Sequence, residues 1–225
     1  MIISHEYKFI YIHIGRTGGT SFEDAYCRHF KLDSRSATHW PEVFGNRDIK
    51  HVWAEELKRK IDNHTWQKYF KFAFVRNPYD WLVSAWHHQK EHQDHGYRWL
   101  IESWICHNTF REFLQALLNN ESHLITPYSA MITDGQGNIL IDFVGRYENF
   151  MKDLSLVHQK VGLPKLPMGR NASSKHKQFT SYYTDEAADF VYNHYKMEFK
   201  MFGYEKDSWK TERNVSDKYL TESIG

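Results

Sequence analysis

Apolar and polar positions divide the chain into strand-like and helix-like stretches. Residues 8–14, KFIYIHI, are rich in Ile, Tyr and Phe and predict a buried strand. Phe22, Ala25, Tyr26 and His29 fall at helical spacing, which predicts a helix over 19–30. Residues 51–62 read as a charged amphipathic helix, and FKFAFV at 70–75 as a second buried strand. Asn77-Pro78 then breaks the chain, and Pro78 suits the first turn of a helix running to about residue 92. Residues 97–119 read as helical in two pieces, with Asn108-Thr109 as a cap between them. DGQGN at 134–138 is a turn, ILIDFV at 139–144 a third strand, and 147–161 a helix ended by Gly162 and Pro164. An irregular basic and polar loop is expected over 165–183 and a last long helix over 184–201.

Strands alternating with helices imply an α/β fold with a mainly parallel central sheet flanked by helices. With no internal repeat and no linker, 225 residues read as a single domain over 1–205, followed by a polar, poorly ordered tail at 206–225. Lys plus Arg is 29 against 28 for Asp plus Glu, so a nucleic-acid partner is not expected and any cationic function must be local. The two cysteines, Cys27 and Cys106, form neither a disulfide framework nor a zinc pattern and fit a reduced cytosol, with a single bridge left open. No stretch approaches the ~18 apolar residues of a membrane span. The start, MIISHEYK, lacks a basic region followed by an apolar one, so a soluble, cytoplasmic protein is expected, a trimmed piece of a longer protein being the alternative. Four Asn-x-Ser/Thr sites, at Asn63, Asn120, Asn171 and Asn214, then read as chance matches.

The chemistry begins where the first strand ends. IHIGRTGGTSF places Gly15, Gly18 and Gly19 in a turn before a helix, with Arg16, Thr17, Thr20 and Ser21 among them. A strand, a glycine-rich turn and a helix N-terminus gather backbone N–H groups around one anion. A nucleotide triphosphatase loop needs Gly-x4-Gly-Lys-Ser/Thr, and that lysine is missing here. FAFVRNPYDWLVSAW places Arg76 at the carboxyl end of the second strand and Ser84 two turns into the next helix. Open parallel sheets bind ligands at those strand ends, so Arg76 is expected to point where the first loop points.

Together these two stretches resemble the sulfotransferases that use 3′-phosphoadenosine 5′-phosphosulfate (PAPS), in particular the carbohydrate sulfotransferase branch. That family reads I-H-I-P-K-T-G-G-T-S and V-R-N-P-Y-x-R-x-x-S at these places. DFVGRYENFMKDLSLV at 142–157 and LPMGRNASSKHKQFTSYYTDE through FKMFGYE at 166–205 are similar to its later segments, so the likeness spans almost the whole chain in order. The resemblance implies a P-loop NTPase-like sulfotransferase fold. It also implies that Arg16, Thr17, Gly18, Gly19, Thr20 and Ser21 hold the 5′-phosphosulfate, and that Arg76 and Ser84 hold the 3′-phosphate. The resemblance further implies that a basic loop around Lys175 and Lys177 closes over the nucleotide, a solvated charged loop being the alternative, that 3′-phosphoadenosine 5′-phosphate (PAP) is the product, and that no metal is needed. Two positions depart from the pattern: Gly15 stands for the family's Pro, and Arg16 for its Lys, which contacts the leaving oxygen; the resemblance makes Arg16 catalytic, since a guanidinium can stabilise the same developing charge although its planar fork is not geometrically equivalent.

An acceptor hydroxyl, most plausibly of a carbohydrate, must lose its proton, and a histidine suits that task. HVWAEEL at 51–57 is similar to a segment of some carbohydrate sulfotransferases whose histidine acts as the base, which nominates His51; His39 is the runner-up, and His13 reads as a core residue. His88, His92 and His95 share a helical face, yet a solvated polar face is the better reading than a zinc site. Trp81, Trp86, Trp99 and Trp104 are candidates to line an acceptor groove, with buried packing the simpler role for each. Two other functions are carried forward. One is a P-loop kinase, for which ILID at 139–142 would serve as the acidic strand. The other is a non-catalytic module that binds a nucleotide or sugar and needs no base.

Overall fold

The protein is described by a computed structural model covering residues 1–33, 50–94, 108–118, 127–168 and 177–211, with 92–94 by backbone only. Four strands among these residues form one sheet in the order β1 (Ile2–Ser4), β2 (Phe9–Ile12), β3 (Phe70–Val75), β4 (Phe143–Arg146). β1 runs antiparallel to β2, while β2 with β3 and β3 with β4 are parallel. The sheet is therefore mainly parallel and the fold is α/β. Helix α1 (Gly19–Phe30) follows β2, and α2 (Ala54–Lys60) and α3 (Asn63–Lys68) precede β3. α4 (Pro78–Asp94), α5 (Phe110–Leu118), α6 (Phe150–Val161), α7 (Asp185–His194) and α8 (Lys196–Phe202) are the other α-helices among the described residues.

The chain groups into two compact units. Of the described residues, the first holds 1–33, 50–76 and 129–168, and the second holds 77–94, 108–118, 127–128 and 177–211. In the first unit the period of two along the strands sets the core. Phe9, Tyr11, Phe72, Phe74 and Phe143 share one buried cluster with Phe22, Ala25 and Tyr26 of α1 and with Phe150, Leu154 and Val157 of α6. The alternate residues Ile10, Ile12, Ala73 and Val75 are also fully buried. Strands buried on both faces read as unbroken apolar runs, which is why β2 and β3 are visible in the sequence. Phe72 sits centrally, with ring centroids 5.1 Å from Tyr11, 5.6 Å from Phe9 and 5.8 Å from Phe22.

In the second unit α4 begins at Pro78, with Asn77 Oδ1 accepting the Tyr79 N–H at 3.0 Å. Buried Tyr79 donates its hydroxyl to the Lys206 carbonyl at 2.8 Å, and Asn77 Nδ2 donates to Ser208 Oγ at 3.0 Å. Residues 206–208 are thereby tied to the start of α4. Trp81 packs on Tyr128 and Tyr195, and Trp86 on Phe110 and Tyr182. Both indoles are 7% exposed, so they are core residues and not groove walls. Trp99 and Trp104 lie outside the described residues, as do Cys106 and the stretch of the expected 97–119 helix before residue 108.

Several elements depart from expectation. The third strand is Phe143–Arg146, and ILID at 139–142 lies before it. Asp142 Oδ2 accepts the Lys71 backbone N–H and pairs with Lys71 Nζ, each at 2.7 Å, so this acid is held at the beginning of its strand. The 51–62 helix starts only at Ala54, and a separate α3 follows, capped by Asp62 Oδ1 on the Thr65 N–H at 2.8 Å. The 184–201 helix is two helices that meet at Tyr195. β1 is too short for its pattern to stand out.

Replacing Phe72 by Ala should cost about 3–5 kcal/mol, because the aromatic rings around it cannot all close on the cavity. Urea unfolding should show a lower midpoint at an unchanged slope. A loss below about 1 kcal/mol would contradict this packing.

Candidate functional site

β2 passes through His13 and Ile14 into the glycine-rich loop and then α1. Its parallel register with β3 sets Ile12 beside Ala73, so this loop and Arg76 leave the sheet at the same end. Arg76 Nη1 donates to the Arg16 carbonyl at 3.1 Å, and its guanidinium carbon stands 4.2 Å from the centroid of the Tyr147 ring. The buried Arg76 thus reaches the loop, and its contact there is to loop backbone.

Inside the loop, Arg16 and Gly18 have φ of 65° and 86°. For arginine the left-handed region costs about 1–2 kcal/mol, which the surrounding contacts must offset. A Cβ on Gly18 would also press on the Phe150 ring at 3.0 Å. Gly19 meets a harder limit, since a Cβ there would stand 2.3 Å from both Tyr11 Oη and His13 Cδ2. Only glycine lets α1 approach β2 this closely. The helical ladder starts with the Phe22 N–H on the Gly18 carbonyl at 3.3 Å, and no side chain caps α1. The N–H groups of Gly19, Thr20 and Ser21 therefore precede the ladder and suit an anion. Thr20 is exposed and Ser21 half-buried. Thr17 is fully buried, and its hydroxyl donates to the Ile14 carbonyl at 2.7 Å, so that proton holds the loop and is not offered to a ligand.

Residues 50 and 51 reach both ends of the loop. The His51 ring lies against Gly15, its Cε1 3.6 Å from where a Cβ would stand. His51 Nδ1 is 2.8 Å from the His13 carbonyl. A carbonyl only accepts, so Nδ1 carries the proton and the neutral ring keeps its lone pair on Nε2. Although His51 exposes part of its surface, desolvation by the surrounding protein lowers its pKa against the opposing pull of the His13 carbonyl. The net lowering leaves the ring neutral near pH 7, with its lone pair on Nε2.

Beneath it, His13 is 2% exposed, with its ring centroid 4.7 Å from that of His51. Burial drives its pKa down to about 3, against the pull of Glu23, so it is a neutral core histidine, as its place in the strand suggests. His13 Nδ1 lies 2.8 Å from Glu23 Oε1, and Glu23 Oε1 also meets the Met1 amino group. Glu23 is held ionised at about 2: burial opposes this, and the His13 hydrogen bond and the neighbouring charges prevail. Lys50 Nζ completes the group, 3.3 Å from Glu23 Oε2 and 3.2 Å from Thr20 Oγ1.

The first unit therefore brings Arg16, Thr17, Gly18, Gly19, Thr20, Ser21, His51 and Arg76 together. Ser84, buried on α4, and the exposed Lys177 belong to the second unit. Lys175 and His39 lie outside the described residues, as do His95 and the side chain of His92. Among the described residues no group of His, Cys, Asp and Glu could hold a metal ion, and no helix is long and apolar enough to cross a membrane. Sequence reasoning missed Glu23 and Lys50. Glu23 lies one turn after Gly19, on the face that packs on β2, and Lys50 precedes the nominated base; either placement was a usable signal.

Two measurements check these charge states. His51 should titrate below 6.5 by histidine NMR, and a midpoint above that value would overturn its neutral assignment. His13 takes a proton near 6.5 when unfolded but only near 3 when folded, so folding stability should be full above pH 6.5 and decline as pH falls towards 3. Equilibrium unfolding against pH reads this. A flat profile across that window would contradict a buried neutral His13.

A curated protein of Archaeoglobus fulgidus, described as uncharacterized, is 24% identical over 109 residues, covering 48% of this chain and 81% of its own. No solved structure gives a significant match. The family model described as the sulfotransferase family matches residues 1–205, and the chain belongs to that family.

Proposed function

We propose that the protein moves the sulfuryl group of PAPS to a hydroxyl acceptor, a carbohydrate being the class the resemblance favours. The observation that carries this is His51: a neutral imidazole with its Nδ1–H locked on the His13 carbonyl, set against the start of an anion-binding loop. In the reaction, the acceptor oxygen bonds to sulfur as the bond from sulfur to the 5′-phosphate oxygen breaks. The electron pair of that bond stays on the phosphate, and the hydroxyl proton passes to His51 Nε2. Sulfuryl transfer of this in-line kind depends on positioning and on charge stabilisation, as phosphoryl transfer does.

The N–H groups of Gly18, Gly19, Thr20 and Ser21, with the hydroxyls of Thr20 and Ser21, would hold the 5′-phosphosulfate in a P-loop-like cradle. Arg16 adds a positive charge, and Thr17 shapes the loop from within. Arg76 would take the 3′-phosphate. Ser84, Lys175 and Lys177 keep the nucleotide contacts that the resemblance assigns to them. On this reading residues 1–205 form one catalytic domain, and the enzyme works in the cytoplasm.

The kinase alternative is weakened by Asp142. A magnesium-binding acid is needed at the loop end of the sheet, whereas Asp142 precedes β4 and is bound to Lys71. A purely binding module would retain the loop but has no use for an oriented base.

His51→Ala should lower turnover by roughly 100- to 10,000-fold while leaving PAP affinity unchanged. Unchanged turnover would remove His51 from the mechanism. In thermal-shift assays PAP should stabilise the protein more than AMP, ADP or ATP with magnesium. A larger shift from ATP with magnesium would sink the sulfotransferase donor site.

A further inference from the structure

We propose that Lys50 is a catalytic residue of the donor site, its ammonium binding the 5′-phosphate oxygen that keeps the electron pair when the sulfur–oxygen bond breaks. The proposal rests on the PAPS reading of the loop. Lys50 Nζ stands 3.2 Å from Thr20 Oγ1 and 3.3 Å from Glu23 Oε2. The ammonium donates to Thr20 Oγ1 and pairs with the Glu23 carboxylate as a counter-ion. Among the described residues this leaves it donor capacity for a ligand, on a side chain that is 30% exposed. Thr20 is itself exposed in the first turn of α1, among the N–H groups that precede the helical ladder. An anion held by those groups lies within reach of the Lys50 ammonium.

The surroundings make Lys50 a fixed charge. Glu23 is ionised and 2% exposed at its side chain, so it anchors Nζ from the protein side. Arg16 is placed differently, in the left-handed region with its carbonyl bound by Arg76. A lysine ammonium is a compact point charge, which suits one oxygen whose charge grows during reaction. The neighbouring residue strengthens the assignment. His51 touches the loop at Gly15 and Lys50 touches it at Thr20, so the base and the leaving-group cation would come from adjacent residues at opposite ends of one loop. In-line transfer needs its entering and leaving oxygens served from opposite sides. Lys50 gives up no proton in the step; it only neutralises the phosphate oxygen.

The test compares two nucleotides on the full chain: PAP, and adenosine 3′-monophosphate, which lacks the 5′-phosphate. For Lys50→Met, calorimetric PAP affinity should fall roughly 10- to 100-fold, the range for a charged hydrogen bond, and adenosine 3′-monophosphate affinity should not change. Lys50→Arg should restore part of the PAP affinity. The Lys50→Met effect should persist in a Glu23→Gln background, because it comes from contact with the phosphate. Equal losses for both nucleotides, no loss for PAP, or an effect that vanishes in the Glu23→Gln background would each overturn the role of Lys50 while leaving the donor site standing. Failure of the unaltered protein to bind PAP would overturn the donor reading itself, and the role of Lys50 with it.

Discussion

Glu23 places an ionised carboxylate inside the first unit, between the Met1 amino group, the imidazole of His13 and the ammonium of Lys50. Those groups come from β1's end of the chain, from the end of β2 and from the segment before α2. A buried carboxylate is tolerated only when such partners surround it, and removing one partner of a buried pair costs about 3–5 kcal/mol. The arrangement therefore acts as a clamp. It fixes His13, whose carbonyl in turn fixes the tautomer of His51, and it fixes Lys50 beside Thr20. The chemistry at the loop surface inherits its geometry from this charge below it.

The clamp needs α1 close to β2, and Gly19 is what permits that approach. With Tyr11 and His13 filling the space where a Cβ would stand, the first turn of α1 rests directly on the end of the strand. One turn later Glu23 meets His13 for the same reason. The aromatic cluster of Phe9, Tyr11, Phe22 and Phe72 continues the contact away from the site. Packing and electrostatics thus meet at one short stretch, residues 11–23, where a substitution that alters packing also alters the charged group around Glu23.

The sequence made the loop, Arg76 and the nomination of His51 legible because each rests on a local pattern: glycines after an apolar strand, an arginine at a strand end, a histidine just before a charged helix. α1 and β3 were read to their observed bounds for the same reason, since their patterns are long and uninterrupted. β4 was misplaced because ILIDFV is apolar except at Asp142, and apolar character alone does not say which part pairs with β3. What local patterns cannot show is partnership across the chain. Thr17 reads as a hydroxyl donor to a ligand until its bond to the Ile14 carbonyl is seen. Nothing local to Glu23 announces its partners His13 and Lys50, 10 residues before it and 27 after it.

The two departures from the family pattern in the loop now have different physical meanings. Space does not demand glycine at position 15: a Cβ there would make ordinary contact with His51, and Gly15 is not among the residues of positive φ. At position 16 the structural contact seen is through the backbone, where the carbonyl receives Arg76. That contact holds the path of the loop backbone at this position. Lys50 is 34 residues further along the chain and within hydrogen-bond distance of Thr20. On the role proposed for Lys50, a loop that looks deficient in lysine as a linear motif draws its cation from another segment. Charge complementarity at an anion site is a property of the space around it, and folding can draw on any segment that passes there.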